Sequence, residues 1–524
     1  MKKLLLIAIC SFTIICLQAQ VRPGRTLSGI ISDAATGAPL VGASVVLTDP
    51  RIGTSTDTTG FFTLKNVPVG HTIIEISYAG YKTQVEHLDI AGDTVKNFVL
   101  ASAVIENEGV TVTGVAVATS IRKSPVPITK VNRGELLATT STNIIDALTR
   151  QPGVSQLSSG PAVSKPIIRG LGYNRLVVIN DGVRQEGQQW GDEHGIEIDE
   201  NSVNRVEILK GPASLIYGSD AIAGVVNIIT TTPAQANTLK GNVLANYQTN
   251  NKQRSLFANV GGNNNGYNWN VWGDYKAAAD YKNKWDGPVF NSKFNERNFG
   301  GYAGINRNWG FTHFILSSFN QKLGMIEGER NSRGNFTKTV AGGAVVAAGE
   351  EDFKGTSPQV PFQYVKHLKL ISDNSFKVGR GKITLNLGWQ RNQRQEFGNP
   401  DDRKEKSLYF DLNTINYNTG FHFAEKRGWT SSIGINGMVQ HNKNKGIEAL
   451  IPEYSMVDVG TFIYTQKTIG KATVSGGARY DHRALDSKQM LEGSTLKFRG
   501  FQKNFSNISG SAGVSYSATD NFVL

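Results

Sequence analysis

The sequence predicts an all-β-dominated chain in three parts: an N-terminal β-sandwich, an α+β domain, and a long wall of transmembrane β-strands. Turn pairs punctuate the first hundred residues at short spacing, and short apolar runs ended by turn signals fill the next stretch. From Lys240 onward, segments of about ten residues alternate apolar and polar positions.

Leu4 to Leu17 is an apolar run preceded by Lys2 and Lys3 and followed by Gln18-Ala19, which reads as a secretory signal peptide over residues 1–19. Cys10 and Cys16 both lie inside it, and Ile9 and Ile15 before them argue against lipidation. The mature chain then has no thiol, so neither a disulfide framework nor a Cys-ligated metal is expected. Over residues 26–101, Thr36-Gly37, Thr59-Gly60, Val69-Gly70 and Ala79-Gly80 mark turns. Ala43, Val45 and Leu47 alternate with Ser44, Val46 and Thr48, as in a β-sandwich. His71 and His87 have no motif partners there and read as surface residues.

Residues 102–120 form a polar linker containing the β-prone run Glu108-Gly109-Val110-Thr111-Val112-Thr113. Within residues 121–233, Leu176 to Ile179 and Val206 to Leu209 are strand-length apolar runs closed by Asp181-Gly182 and Lys210-Gly211-Pro212. Tyr217-Gly218-Ser219-Asp220 offers an N-cap for a small-residue turn. Residues 238–524 carry the wall. Ile383, Leu385, Leu387 and Trp389 are expected to face lipid, with Thr384, Asn386 and Gln390 facing the lumen; Ala512, Val514 and Tyr516 repeat the outward pattern. Gly324 to Pro361 reads as a long outer loop, whereas Trp309-Gly310 and Asn374 to Gly381 read as tight turns at the other end.

The formal charge of +12 falls to +10 once Lys2 and Lys3 are removed, with acids interleaved among the bases. That pattern suits solvated barrel rims beside anionic lipid and excludes a nucleic-acid surface.

Three segments, PIIRGLG (166–172), LVVINDGVR (176–184) and VNRVEILKGPASLIYGSDAIAGVVNIIT (203–230), resemble the plug domain of TonB-dependent outer-membrane transporters. The motif positions are Arg169, Gly170, Asp181, Gly182, Arg184, Glu207, Lys210, Gly211, Tyr217 and Gly218. The first domain resembles the carboxypeptidase regulatory-like, transthyretin-like domains that precede plugs in Bacteroidetes transporters, and Glu108 to Thr113 resembles the TonB box. The resemblance implies an outer-membrane receptor whose N-terminal domain and TonB box lie in the periplasm. Its partners are then TonB with its inner-membrane energising complex, and outer-membrane lipid. It further implies a barrel of the 22-strand type, of which residues 238–524 have room for about a dozen strands, so the chain is expected to stop within the barrel.

The loop Gln185 to Glu200 gathers Asp192, Glu193 and His194 beside Trp190. Carboxylate and imidazole donors suit a divalent cation, and the cluster resembles the plug-loop cluster of zinc-type receptors. The plain alternative is a hydrated acidic loop. His441, Asp481 and His482 are expected at the outer ends of rising strands and Glu448 in an outer loop, where they would close over a ligand or serve as ordinary rim residues. Cation binding is expected to weaken as His194 protonates toward acidic pH. The expected activity is import of a zinc-like ion, with a siderophore or cobalamin-type chelate as the alternative and a passive porin or adhesin as the reading from another class. No cofactor is expected beyond the transported metal. An enzyme is not expected, because the acidic loop lacks HExxH-type spacing.

Overall fold

The computed structural model describes residues 24–49, 51–78, 81, 83–101, 111–112, 119–120, 128–139, 141–187, 190–210, 212–230, 234, 237–519 and 522–523. The expected signal peptide, Glu108, Gly109, Val110, Thr113 and Gly211 lie outside these residues.

Alternation in the first domain builds two facing sheets. One orders Phe61–Val67, Arg25–Asp33 and Thr94–Val95 with Phe98–Leu100; the other orders Ile52–Ser55, Ser44–Leu47, Gly70–Ser77 and Gln84–Ile90. Leu27, Ile31, Ala43, Val45, Leu47, Ile74 and Ile76 meet between them in one core, each large side chain contributing about 1.5–3 kcal/mol by leaving water. In the linker, Thr111–Val112 pairs antiparallel with Thr119–Ser120.

The next domain is a five-stranded sheet in the order Ile128–Asn132, Arg205–Leu209, Gly224–Ile229, Leu176–Asn180, Val183–Arg184. Its central strands are buried on both faces, which explains why they are mostly apolar without alternation, Asn227 and Glu207 being the buried polar exceptions. The short helices Arg133–Ala138 and Ile144–Leu148 contribute Leu136, Ile144 and Leu148 to the core around Val178, Val206 and Val226. Asn143 caps the second helix by accepting from Asp146 N–H at 3.0 Å. The expected N-cap at 217–220 is corrected. A 3₁₀ turn, Pro212–Tyr217, comes first, and Gly218 takes a φ of 111° that favours glycine. The Asp220 carboxylate pairs with Arg184 at 2.8 Å and Arg483 at 3.0 Å.

Twelve long antiparallel strands, from Thr238–Gln248 to Phe501–Thr519, pair in sequence order into one sheet, and Phe522–Val523 pairs onto the last. Residues 265–266, 308–309, 379–380, 423–428 and 470–471 connect strands at one end. The longer connections 279–293, 325–361, 398–407, 445–453 and 488–500 lie at the other. The turn expected over 374–381 shrinks to Gly379-Arg380, because the strand Phe362–Val378 carries its polar residues onward: Asn374 donates to Leu385 C=O at 3.0 Å. Polarity there marks a wet face, not a turn. The turn expected at Trp309-Gly310 is Asn308-Trp309, since Gly310 already pairs with Phe376.

The period-two pattern sorts the wall's faces. Leu387, Ile415, Ile433, Ile435, Val457, Ile463, Val514 and Tyr516 are exposed outward. Asn386 and Gln390 point in, where Gln390 donates to Arg184 C=O at 2.7 Å. The inner domain fills the lumen so closely that a Cβ at Gly388 would lie 2.6 Å from Val183, and one at Gly182 2.6 Å from Asn386. The sandwich sits at the short-turn end. Arg51 pairs with Asp373 at 2.9 Å with its guanidinium 4.4 Å from the Phe311 ring centroid, and Lys382 pairs with Asp49 at 2.6 Å.

An outward position tolerates no charge in lipid. Leu387→Arg is expected to cost about 2–4 kcal/mol at the bilayer midplane, read as a lower denaturant midpoint for the vesicle-inserted protein. An unchanged midpoint would place Leu387 off the lipid face.

Candidate functional site

The loop that follows Arg184 folds inward, toward the wall. Glu197 is buried with its Oε1 2.5 Å from Arg394 and its Oε2 3.4 Å from His367 Nδ1. Gln185 donates toward both Glu197 (3.3 Å) and His367 (3.0 Å), and His367 Nε2 meets Gln390 at 3.0 Å. Nearby, Lys276 of the wall pairs with Glu200 at 2.5 Å, and Asn298 donates to Asp199 at 2.8 Å. These polar contacts across the interface hold the loop's base in one geometry.

Above that base, Glu193, His194 and Glu396 each bring a ligand atom within 4.8 Å of the other two. His194 is fully buried; its Nε2 lies 3.4 Å from Glu193 Oε1 and 4.0 Å from Glu396 Oε1, without a hydrogen-bond partner. Trp190 and Phe410 box the ring edge-on, with centroids 6.2 and 6.1 Å away. One imidazole and two carboxylates suit a borderline or hard divalent cation, not a soft one. His194 Nδ1 faces the Gly191 N–H at a long 3.3 Å. A cation on Nε2 leaves the ring proton on Nδ1, so the Gly191 peptide has to turn aside.

Burial, together with the positive charges of Arg394 and Lys165, pushes His194 far below the ordinary imidazole range. The same positive field opposes a cation, but its two sources differ. Arg394 is committed to Glu197, whereas burial lowers Lys165 to about 8, well below the ordinary lysine range.

The other expected residues are placed elsewhere. The Asp192 carboxylate accepts from the Tyr173 hydroxyl and lies outside the three-residue cluster. Glu448 hangs from the outer loop, its backbone bridged to Leu408, which pairs with Glu396. His441 meets Ser455 Oγ at 2.9 Å. Asp481 and His482 line a different cavity of about 480 Å³ between inner domain and wall, with Arg184, Tyr217, Met456 and Arg483. Asp481 pairs there with Arg479 at 2.6 Å, and His482 meets Ser506 Oγ at 3.0 Å.

Among the motif positions, Arg184 pairs with Glu186 at 2.5 Å and with Asp220. Asp181 accepts from the Thr230 N–H at 2.8 Å, Arg205 pairs with Glu207 at 3.0 Å, and Lys210 donates to Pro152 C=O at 2.6 Å. Arg169 and Gly170 occupy a turn with φ of 50° and 79°. Sequence reasoning missed Glu396 and the Glu197–Arg394–His367 group. The signal for Glu396 was present: even-numbered positions from Thr384 through Gln390 face the lumen, and Glu396 continues that phase.

Residues 120–225 match the family model "TonB-dependent Receptor Plug Domain", and residues 27–112 match "CarboxypepD_reg-like domain". The chain is 35% identical over 131 residues to an iron-regulated outer membrane virulence protein of Vibrio cholerae serotype O1, covering 24% of this chain and 20% of that protein. It is 33% identical over 140 residues to the vitamin B12 transporter BtuB of Vibrio vulnificus, covering 26% and 23%. Among solved structures, the FrpB iron transporter of Neisseria meningitidis superposes with a TM-score of 0.59 at 16% identity, over 76% of this chain and 63% of that one. The copper transporter OprC superposes with a TM-score of 0.58 at 13% identity, over 75% and 61%. The matches therefore span about a fifth of the curated relatives' length and under two thirds of the solved chains. They show the plug, the regulatory-like domain and the barrel fold of TonB-dependent outer-membrane receptors.

A His194 held neutral by burial and by the charges of Arg394 and Lys165 would make cation binding less acid-sensitive than an ordinary imidazole ligand does. An ordinary histidine ligand protonates below about 6.5, where affinity falls about tenfold per pH unit. His194 stays neutral through that window, so zinc affinity should change less than about twofold between about pH 7.5 and 5.5 on account of this ring. Isothermal titration across that range checks it, and a decline centred near about 6.5 would show that His194 protonates as an ordinary imidazole ligand does.

Proposed function

We propose that this chain, an outer-membrane receptor of the TonB-dependent class, imports a divalent metal ion of the zinc type, drawing energy from TonB and its inner-membrane complex. The observation that carries the cation is the meeting of Glu193 and His194 from the plug with Glu396 from the wall, around a buried Nε2 that has no hydrogen-bond partner. A site shared between two bodies is destroyed when they part. Movement of the plug against the wall therefore releases the ion, and no covalent chemistry is required.

The burial of His194 between Trp190 and Phe410 favours a bare ion over a bulky chelate at this point. The cavity of about 480 Å³ beside Tyr217 supports the second reading, a siderophore or cobalamin-type chelate, since it falls in the size range of small-molecule pockets. The curated relatives named for iron regulation and vitamin B12 transport are in keeping with that alternative.

TonB is proposed to pair with the strand-prone run Glu108 to Thr113, by backbone hydrogen bonds along an added strand. A passive porin or adhesin has no use for such a segment.

Radioactive zinc uptake by cells carrying the full-length gene, with a ferric chelate and cobalamin as parallel arms, tests the substrate. His194→Ala and Glu396→Gln are expected to lower zinc uptake about tenfold or more and to leave the chelate arms unchanged. Zinc uptake at the parental rate in both variants, with chelate uptake intact, would transfer the assignment to the chelate reading. Val110→Pro cannot donate to a β-ladder, so it should abolish energised uptake while surface binding persists. Parental uptake in that variant would remove the TonB-box assignment.

A further inference from the structure

The face of the sandwich turned toward the barrel's short turns carries two histidines that the import reading leaves unused. His71 on Gly70–Ser77 pairs across the ladder with Asp89 on Gln84–Ile90, and His87 lies two residues before Asp89, so all three project from one face. His71 Nδ1 is 3.1 Å from Asp89 Oδ1, and His71 Nε2 is 3.0 Å from His87 Nδ1. A carboxylate accepts and does not donate. Nδ1 of neutral His71 therefore carries the ring proton, and Nε2 presents its lone pair toward His87. This is how a metal-ligating histidine is prepared, with a carboxylate on the far nitrogen fixing tautomer and ring orientation.

The spacing agrees. Two nitrogens bound to tetrahedral zinc at about 2.0–2.1 Å lie about 3.3 Å apart, close to the separation between the two histidines. A third donor comes from the other body: Glu425, in the barrel turn 423–428, places Oε2 3.8 Å from the same His71 Nε2. Both histidines are exposed, outside the sandwich core, and the domain is seated independently through Arg51–Asp373 and Lys382–Asp49.

We propose that His71 and His87 form a second divalent-cation site of the zinc type, distinct from Glu193, His194 and Glu396, which draws in Glu425 and so ties the N-terminal domain to the periplasmic rim of the barrel. His71, His87 and Glu425 are the ligands, and Asp89 is a positioning residue. The tie makes the domain's attachment depend on cation supply at the face where an imported ion emerges.

The test uses the full chain carrying His194→Ala, so that the first site is silent, and Zn²⁺ alone as titrant against a chromophoric chelator. One ion per chain is expected to remain. His71→Ala and His87→Ala should each weaken it about tenfold or more, with Asp89→Asn in the range of about 10–100-fold that such partners command. His87→Gln, which keeps size and polarity, separates ligation from hydrogen bonding and should weaken the ion by a similar factor. With Cu²⁺ as a spectroscopic probe, electron paramagnetic resonance should show two imidazole nitrogens, falling to one in His87→Gln. Spin labels at Val95→Cys and Lys471→Cys should give a distance distribution that Zn²⁺ narrows, and that Glu425→Gln leaves broad. Zinc affinity unchanged in the His71→Ala/His87→Ala double variant, or a spin-label distribution indifferent to zinc, would overturn the proposal.

Discussion

Everything in this molecule depends on a polar, buried interface between the inner domain and the strand wall around it. Glu197 meets Arg394 and His367, Lys276 meets Glu200, and Gln390 meets the Arg184 carbonyl. Apolar packing at the same place would bind the two bodies more tightly and less specifically. Buried ion pairs contribute little net stability over a hydrophobic replacement, yet removing one partner costs about 3–5 kcal/mol, because a bare charge is left behind. Such an interface holds one register firmly against wrong arrangements.

The candidate metal cluster follows from that register. Glu193 and His194 come from a loop whose base is pinned by Glu197, while Glu396 sits two residues beyond Arg394 on the same wall strand. Arg394 and Glu396 share the inward phase, so the ion pair that seats the loop also delivers the carboxylate that faces His194. Any shift of the inner domain that breaks Glu197–Arg394 moves both halves of the cluster apart. In the proposed import reading, binding and release would follow that one mechanical coordinate.

At the opposite end, the sandwich uses the same principle with fewer contacts. Arg51, at a φ of 55°, reaches from a turn of the sandwich to Asp373, whose other oxygen accepts from Asn386 at 2.8 Å. Asn386 in turn packs against Gly182 of the inner domain. The N-terminal domain thus contacts the wall at a residue that itself touches the inner domain, a short physical path from one to the other.

The sequence by itself determined what repeats or is local. Period-two alternation assigned Leu387 and Val514 to lipid and Asn386 and Gln390 to the lumen, because side chains of a strand leave on opposite faces whatever surrounds them. Apolar runs at Leu176 to Ile179 and, interrupted by Glu207, at Val206 to Leu209 marked strands, which the fold buries on both faces. Tertiary structure alone decided which distant polar residues meet. Asp192 and His194 are neighbours in the chain, yet the Tyr173 hydroxyl takes the carboxylate of Asp192, while Glu396 reaches His194 from about two hundred residues away. His71 and His87 showed no motif, and met only because the ladder set them side by side before a barrel turn. Strand phase is a property of one segment's backbone, whereas a ligand cluster depends on the register and docking of several, and no single segment records these.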